Sequence, residues 1–347
     1  MSLFVKIILS ALVGVLAIGA GAGIAYLTDE LTPEQRLLLA IEKHVELDTF
    51  EYDLLLDVVV EDGESGSKQN VKLSVAGASD VSEIDNLKSL AEIGVTIPPQ
   101  PPFTLEPADV GFEVRALGGV VYFSLTKIPE APDFGLGAYL NKWISVSPED
   151  AVGYLEPGME GDLLNSFTED QLARTRQLIV TYPPVSVQED LGREEVDGVD
   201  TYAYQLVINQ ENIAKLFPEL MEIFLESFSV EQRALFDEDG LRGQLAEFRA
   251  LPPEKLPKIS VWIGADDFYV RKVLIVHSSE ASRVESDGFS YFVPAIDAIL
   301  TMNMRGFNEP VTITVPEGAT PIMEVVASFF AGSMMLGGAD DGVLIVE

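Results

Sequence analysis

The chain has 347 residues, with 22 basic against 56 acidic side chains, a net charge of −34 and no cysteine. That balance repels a phosphate backbone and so excludes nucleic acid as a partner, and the missing cysteines exclude disulfides, thiolate catalysis and Cys-ligated metal centres. Hydrophobic residues make up 47%, which excludes a disordered stalk as the bulk of the chain and requires a real core.

The first element is an apolar run from Ile7 to Leu27, preceded by Lys6 and followed by Asp29 and Glu30. Its length suits one membrane span. The charge asymmetry places the N-terminus in the cytoplasm and everything after Thr28 outside. A cleaved leader is the competing reading, because Ala20-Gly21-Ala22 offers small residues to a signal peptidase; the chain would then be secreted. Both readings export it. The expected division is residues 1–30 as anchor, 31–320 as an extracytoplasmic domain and 321–347 as an apolar and acidic tail.

Thr32-Pro33-Glu34-Gln35 reads as a capping box with proline at the first helical position, and the stripe Leu37, Ala40, Ile41, Val45 predicts a helix from Pro33 to about Val45. From Phe50 the period becomes two. Phe50, Tyr52, Leu54, Leu56, Val58 and Val60 share one face of a strand, with Glu51, Asp53, Asp57 and Glu61 on the other. The loop at Gly63 to Gly66 returns the chain to Val71, Leu73 and Val75, Ser82 to Ile93 reads as a short helix, and the proline cluster 98–102 as a stiff connector. Phe112, Val114 and Ala116, the pair Gly118-Gly119, then Val121, Phe123 and Leu125 make a hairpin. Leu140 to Val146 reads as a strand around Trp143, and Thr168 to Ile179 as a helix.

Asp197-Gly198 turns the chain into a strand whose face is Tyr202, Tyr204, Leu206 and Ile208. Helical sequence follows from about Gln210 to Arg249, with breaks expected at Pro218 and near Asp239-Gly240 and a wide apolar face from Ile213 to Phe228 that includes Leu220 and Phe224. Ile259–Ile263 and Tyr269–His277 form a hairpin, Ile299–Met304 a further strand, and Val311, Ile313 and Val315 a last one. The apolar stretch Val325 to Leu336 is too short for a second span and is expected to be a docked or disordered tail.

Chemical motifs are absent. His44 and His277 have no metal-ligand spacing, no serine sits in a nucleophile elbow, and no Gly-rich nucleotide loop occurs. Placing Gly240 at position six of a calcium loop puts Leu235 and Ala246 where acids are needed, so Asp237-Glu238-Asp239-Gly240 reads as a solvated turn. Trp143 and Trp262 read as core anchors. The chain is therefore expected to be no enzyme and to need no cofactor or metal.

Three short stretches carry a family likeness: Asn141-Lys142-Trp143-Ile144, Val196-Asp197-Gly198-Val199-Asp200-Thr201-Tyr202 before an alternating strand, and Val261-Trp262-Ile263 opening a hairpin that continues with Val270-Arg271-Lys272-Val273. On these, with the order of elements, the chain resembles the LolA/LppX-like superfamily of periplasmic and cell-surface lipoprotein carriers. The resemblance implies an α+β fold, one open, curved antiparallel sheet (a half-barrel) with helices on its concave apolar face, enclosing a cavity for acyl chains. A two-sheet sandwich is the alternative, but it leaves the wide helical face without a partner. Where carriers of this kind use a lipidated cysteine, this chain has the peptide segment Ile7–Leu27.

The function expected is a membrane-anchored extracytoplasmic protein that holds a lipid or other apolar ligand between sheet and helices. The expected lining is Tyr52, Leu54, Leu56, Phe112, Phe123, Tyr202, Tyr204, Leu206, Leu220 and Phe224. Its partners would be the membrane, through the N-terminal helix, the lipid itself and another envelope protein. The alternative is a structural or interaction protein of the envelope whose interior is filled by side chains.

Overall fold

The computed structural model describes residues 31–61, 66–83, 87–99, 106–129, 136–147, 168–226, 233, 238–286 and 289–328. Ile7–Leu27, most of the Gly63 to Gly66 loop and Phe329–Leu336 lie outside them. Among the described residues no helix is long and apolar enough to cross a membrane.

Helix α1, Pro33–Val45, starts where its sequence directs. The Thr32 side chain accepts from the Gln35 N–H at 3.3 Å and the Gln35 side chain accepts from the Thr32 N–H at 2.8 Å. Leu37, Ala40, Ile41 and His44 then fall on one buried stripe. The long strand β1, Thr49–Glu61, follows, and β2 (Lys68–Asp80), β3 (Lys88–Ile97), β4 (Ala108–Leu117), β5 (Val120–Lys127) and the short β6 (Trp143–Val146) are added in sequence order. Positive φ at Gly118 (55°) and Gly119 (76°) makes the tight β4–β5 turn.

Helix α2, Glu169–Thr181, repeats the capping box with Thr168 and Gln171. Strands β7 (Val185–Val196) and β8 (Val199–Ile208) turn at Asp197 and Gly198, both with positive φ. Helices α3 (Gln210–Glu226) and α4 (Glu238–Ala250) come next, followed by β9 (Lys258–Gly264), β10 (Val270–Ser279), a separate hairpin of β11 (Ser282–Ser286) and β12 (Phe289–Val293), then β13 (Ala295–Arg305) and β14 (Thr320–Pro321). The main sheet runs β14-β6-β5-β4-β3-β2-β1-β13-β10-β9-β8-β7. Every pair in it is antiparallel except β14 with β6. It is an α+β fold built on one open sheet.

Three expectations are corrected. Ser82–Ile93 is not a helix: Lys88 pairs with Asp80 at 3.1 Å and launches β3, an interior strand whose backbone is satisfied by β2 and β4 on its two sides. Val311, Ile313 and Val315 are not in a strand; Pro310 and Pro316 remove ladder donors around them, and Arg115 Nη1 donates to the Thr314 carbonyl at 2.9 Å instead. The helix does not break at Pro218, because Ile213, Leu216 and Ile223 are buried on one side of α3 and that packing outweighs the proline penalty of about 3 kcal/mol. The break expected near Asp239-Gly240 lies within two residues of the start of α4 at Glu238.

Two elements had no sequence signal that alternation could detect. β7 is an edge strand with Glu189, Asp190, Glu194 and Glu195 exposed and two register shifts, a charged and bulged edge that resists pairing with other chains. The β11–β12 hairpin stands apart from the main sheet.

The core sits on one half of the sheet. Val185, Tyr204, Leu206, Ile208, Ile259, Val261, Ile263, Val270, Val273, Ile275, Met302 and Met304 pack against Leu37, Ala40 and Ile41 of α1, Ile179 of α2, Ile213 and Leu216 of α3, and Leu245 and Phe248 of α4. Side-chain ties hold the helices together. Gln171 Nε2 donates to the Ile223 carbonyl at 3.1 Å, Gln210 Nε2 to the Phe248 carbonyl at 2.6 Å, and Arg249 meets Glu211 through both nitrogens at 2.8 and 2.7 Å.

Close approach decides one glycine. A Cβ on Gly77 would stand 2.4 Å from the Leu90 carbonyl oxygen and 2.8 Å from the ring of Tyr52, its cross-strand partner. Gly77→Ala is expected to cost about 1–3 kcal/mol, read as a lowered urea midpoint, whereas Gly198→Asn at the β7–β8 turn should cost less than 1 kcal/mol, since asparagine tolerates positive φ.

Candidate ligand-binding face

Cross-strand register defines a face that extends beyond the core. Met302 lies opposite Leu54, which lies opposite Val75, then Ile93, Phe112 and Leu125. One row over, Leu300, Leu56, Leu73, Val95 and Val110 continue across the same strands. On the other side are Met304, Tyr52, Gly77, Ala91, Val114, Phe123 and Ile144. With side chains alternating along each strand, this face of β1 to β6, β13 and β10 carries no Asp, Glu, Lys or Arg at any paired position; the bulge residue Arg271 of β10 lies at its end, beside His44 and Phe307. In a chain with 56 acids such an area is a selected feature of the pattern.

Among the described residues the helices do not fill it. No residue of β2 to β6 belongs to the principal core, and α1 packs on β7 and β9. Leu54, Leu56, Leu73, Val75, Ile93, Val95, Phe112, Val114, Phe123 and Leu125 are half-buried, whereas Tyr204, Ile259, Val261 and Ile263 on the helix-covered half are fully buried. Six strands about 4.8 Å apart give the open half a width of about 24 Å, and a ten-residue strand a length of about 33 Å.

The ten expected lining residues divide accordingly. Tyr52, Leu54, Leu56, Phe112 and Phe123 lie together on the uncharged face, Tyr52 at its border with the core. Tyr202, Tyr204 and Leu206 lie on β8 under the helices. Tyr204 is 0% exposed, with its hydroxyl 3.0 Å from Arg36 Nη1, and burial pushes its pKa above the ordinary value. Tyr202 is capped by the Arg36 guanidinium, 3.9 Å from its ring centre. Leu220 packs on the core from α3, and Phe224 is half-buried one turn further along. Leu73, Val75, Ile93, Val95, Val110 and Val114 also belong to the open face. Their alternation in the sequence was the available signal.

The opposite face of the same strands differs. A hollow of about 720 Å³ is bordered mostly by residues of that face, Asp53, Leu55, Ser74, Ala76, Glu92, Gly94, Glu113, Thr301 and Asn303, together with Thr126 and with Leu54, Val75, Ile93 and Phe112 of the apolar rows. Asp53 is engaged by Arg305, and Glu113 by Arg115 at 2.8 Å. Trp143 also lies on this side, with the Arg115 guanidinium 4.8 Å from its ring, so it does not line the apolar face. Trp262 is buried at 7% exposure under Lys272, 4.5 Å from its ring centre, and donates to Glu194. A second hollow, about 510 Å³, lies between α3 and α4 beside Phe217, Met221, Leu225 and Leu241.

The two histidines are separate. His44 is buried on α1 with Nδ1 3.0 Å from the Ala40 carbonyl. His277 is on β10, opposite Ala298, which is opposite Val58 and then Val71, and so belongs to the uncharged face; burial lowers its pKa. Among the described residues no group of three His, Asp or Glu side chains could hold a metal ion.

No family model matches the chain, and no curated protein matches it. Solved structures do. LppX of Mycobacterium tuberculosis, a lipoprotein, aligns over 80% of this chain and 96% of its own at 11% identity with a TM-score of 0.31. LprF from Mycobacterium bovis aligns over 79% and 91% at 14% identity with a TM-score of 0.33. A putative outer membrane lipoprotein-sorting protein domain from Vibrio parahaemolyticus aligns over 76% and 87% at 11% identity with a TM-score of 0.17.

Proposed function

We propose that the chain is a binding protein for an apolar ligand, whose acyl chains lie along the uncharged face of β1 to β6. The observation that carries this reading is that one continuous apolar face is packed by helices on its β7–β10 half and left out of the core on its β1–β6 half. Burial alone supplies the affinity. About fifteen methylenes at about 0.8 kcal/mol each give about 12 kcal/mol; after about 4 kcal/mol of lost rigid-body freedom, about 8 remain, a micromolar Kd.

In this reading Ile7–Leu27 holds the protein at the membrane, residues 31–320 form the extracytoplasmic ligand-binding domain, and the tail 321–347 or the acidic outer surface meets an envelope partner. A second reading, an interaction protein, draws on the opposite face, where Leu55 and Ile299 are 49% and 48% exposed at diagonal positions of β1 and β13.

Native mass spectrometry of the full-length protein purified from the membrane fraction, followed by lipid extraction, separates them. A stoichiometric lipid is expected. No lipid and no uptake of a fluorescent fatty alcohol would leave the interaction protein. Intact mass of the mature chain decides the anchor, since loss of about the first 22 residues would make it a secreted protein.

A further inference from the structure

The face of the sheet turned away from the helices differs in charge from the chain as a whole. On a protein of net charge −34, its cations and anions come in pairs: Lys72 lies 3.3 Å from Asp57, Lys68 3.1 Å from Glu61, Lys88 3.1 Å from Asp80, Arg115 2.8 Å from Glu113, Lys127 2.8 Å from Asp109, and Arg305 reaches both Glu51 and Asp53. Among the acids at paired positions of β1 to β4 and β13 on this side, only Glu92 and Asp297 have no basic partner. The face is therefore close to neutral. In its middle Leu55 and Ile299 are half exposed, and Leu274 and Val276 of β10, opposite Thr301 and Ile299, extend them into an apolar ridge. Beside the ridge lies the hollow of about 720 Å³ over Ser74, Ala76 and Gly94. The chain after β13 meets this face at Arg115, which donates to the Thr314 carbonyl at 2.9 Å, and leaves Leu55 and Ile299 open.

Strand addition at the sheet's edges is opposed, because β7 is charged and bulged and β6 is covered by β14. Contact face to face is what remains. A second copy is repelled wherever the surface keeps the chain's negative excess, and on this face that repulsion is least. Ridge and hollow lie side by side, so a two-fold rotation about an axis between them sets each copy's ridge in the other's hollow, as an isologous interface requires. Six strands about 4.8 Å apart and about 33 Å long offer about 800 Å² per copy, the size of a standard stable interface. We propose that the outer face of β10, β13 and β1 to β4 is the interface of a two-fold homodimer, with Leu55 and Ile299 of each copy seated in the hollow of its partner. The ligand proposed for the opposite face plays no part in this contact, and the dimer leaves that face free.

Sedimentation equilibrium of the full-length protein in density-matched detergent, at micromolar concentration, tests it. The wild type should be a dimer. Leu55→Glu brings a carboxylate without a partner into the contact and should weaken it by about 100-fold, giving a monomer, whereas Leu73→Asp on the opposite face should remain a dimer. Because the chain has no cysteine, an equimolar mixture of the Ile299→Cys and Ser74→Cys proteins treated with a short bis-maleimide should yield a cross-linked dimer. A monomeric wild type overturns the proposal, and so does a dimer that survives Leu55→Glu and gives no cross-link. A dimer lost in Leu73→Asp but kept in Leu55→Glu puts the second copy on the apolar face, which overturns this interface and the open ligand-binding face together; the other failures leave the ligand reading intact. Unaltered circular dichroism spectra confirm that the variants fold.

Discussion

Val75→Asp should abolish acyl-chain uptake, by more than about 100-fold, while lowering folding stability by only about 1 kcal/mol; Val261→Asp, the same substitution on the same face, should leave no folded protein. The two valines differ only in what covers them. Val261 is 0% exposed beneath the helices, where a carboxylate loses its hydration without gaining a partner, a cost of many kcal/mol that exceeds ordinary margins of stability. Val75 lies between Leu54 and Ile93 on the half outside the core. In the free protein an aspartate there keeps much of its water. In the complex the ligand must strip it, so the penalty appears in binding. Uptake of a neutral fluorescent lipid and urea denaturation measure the two effects separately. If Val75→Asp unfolds as Val261→Asp does, the open half is filled by side chains and the ligand has no place.

Acid should destabilise the fold by about 2 kcal/mol between pH 7.5 and pH 5 through His44 alone. Its ring is edge-on to Tyr269 and Phe307, with centroids 5.9 and 5.7 Å away. Burial pushes its pKa from 6.5 down to about 4, opposed by the bond to the Ala40 carbonyl and reinforced by the nearby positive charge of Arg271. The Asp267 carboxylate and the Val270 carbonyl also favour the charged ring, but less than burial disfavours it. The unfolded histidine takes up its proton near pH 6.5 while the folded one resists until about pH 4, so the unfolded state binds more protons in that window. Stability is full above pH 6.5 and falls as the pH drops toward 4. Over the whole window the loss reaches about 3 kcal/mol, at about 1.4 kcal/mol per pH unit. His44→Gln should remove that component of the slope, whatever the carboxylates contribute below pH 5. A variant that keeps the wild-type slope between pH 7.5 and pH 5 would show that another group carries it.

Much of this fold was legible locally because its signals are local. The capping box at Thr32 and Gln35, the glycine turn at 118–119, the Asp197-Gly198 turn and the alternation of β1, β4, β5 and β8 each follow from a few neighbouring residues. The strand β3 was read as a helix because Ser82 to Ile93 has no strict period, and its extended form depends on β2 and β4 arriving on both sides. Pro218 stays helical because Ile213, Leu216 and Ile223 of its helix are buried by contacts distant in sequence. β7 stayed hidden for a related reason: an acidic edge strand shows no apolar alternation and gains its partner only from β8.

By itself, then, the sequence determined which side chains share a strand face, that one such face is apolar and uncharged, and that no metal or nucleophile motif accompanies it. Alternation encodes a face directly, since each residue's side is set by its position in the strand. Only the tertiary structure decided which part of that face is core. Tyr204 and Leu206 look no different in sequence from Leu54 and Leu56, yet the first pair lies beneath the helices and the second does not. Pairing of β1 with β13, across more than 230 residues of chain, joins the two halves into one sheet and places His277 at their seam. No local pattern specifies that placement, because it follows from contacts that form only when the whole sheet is assembled.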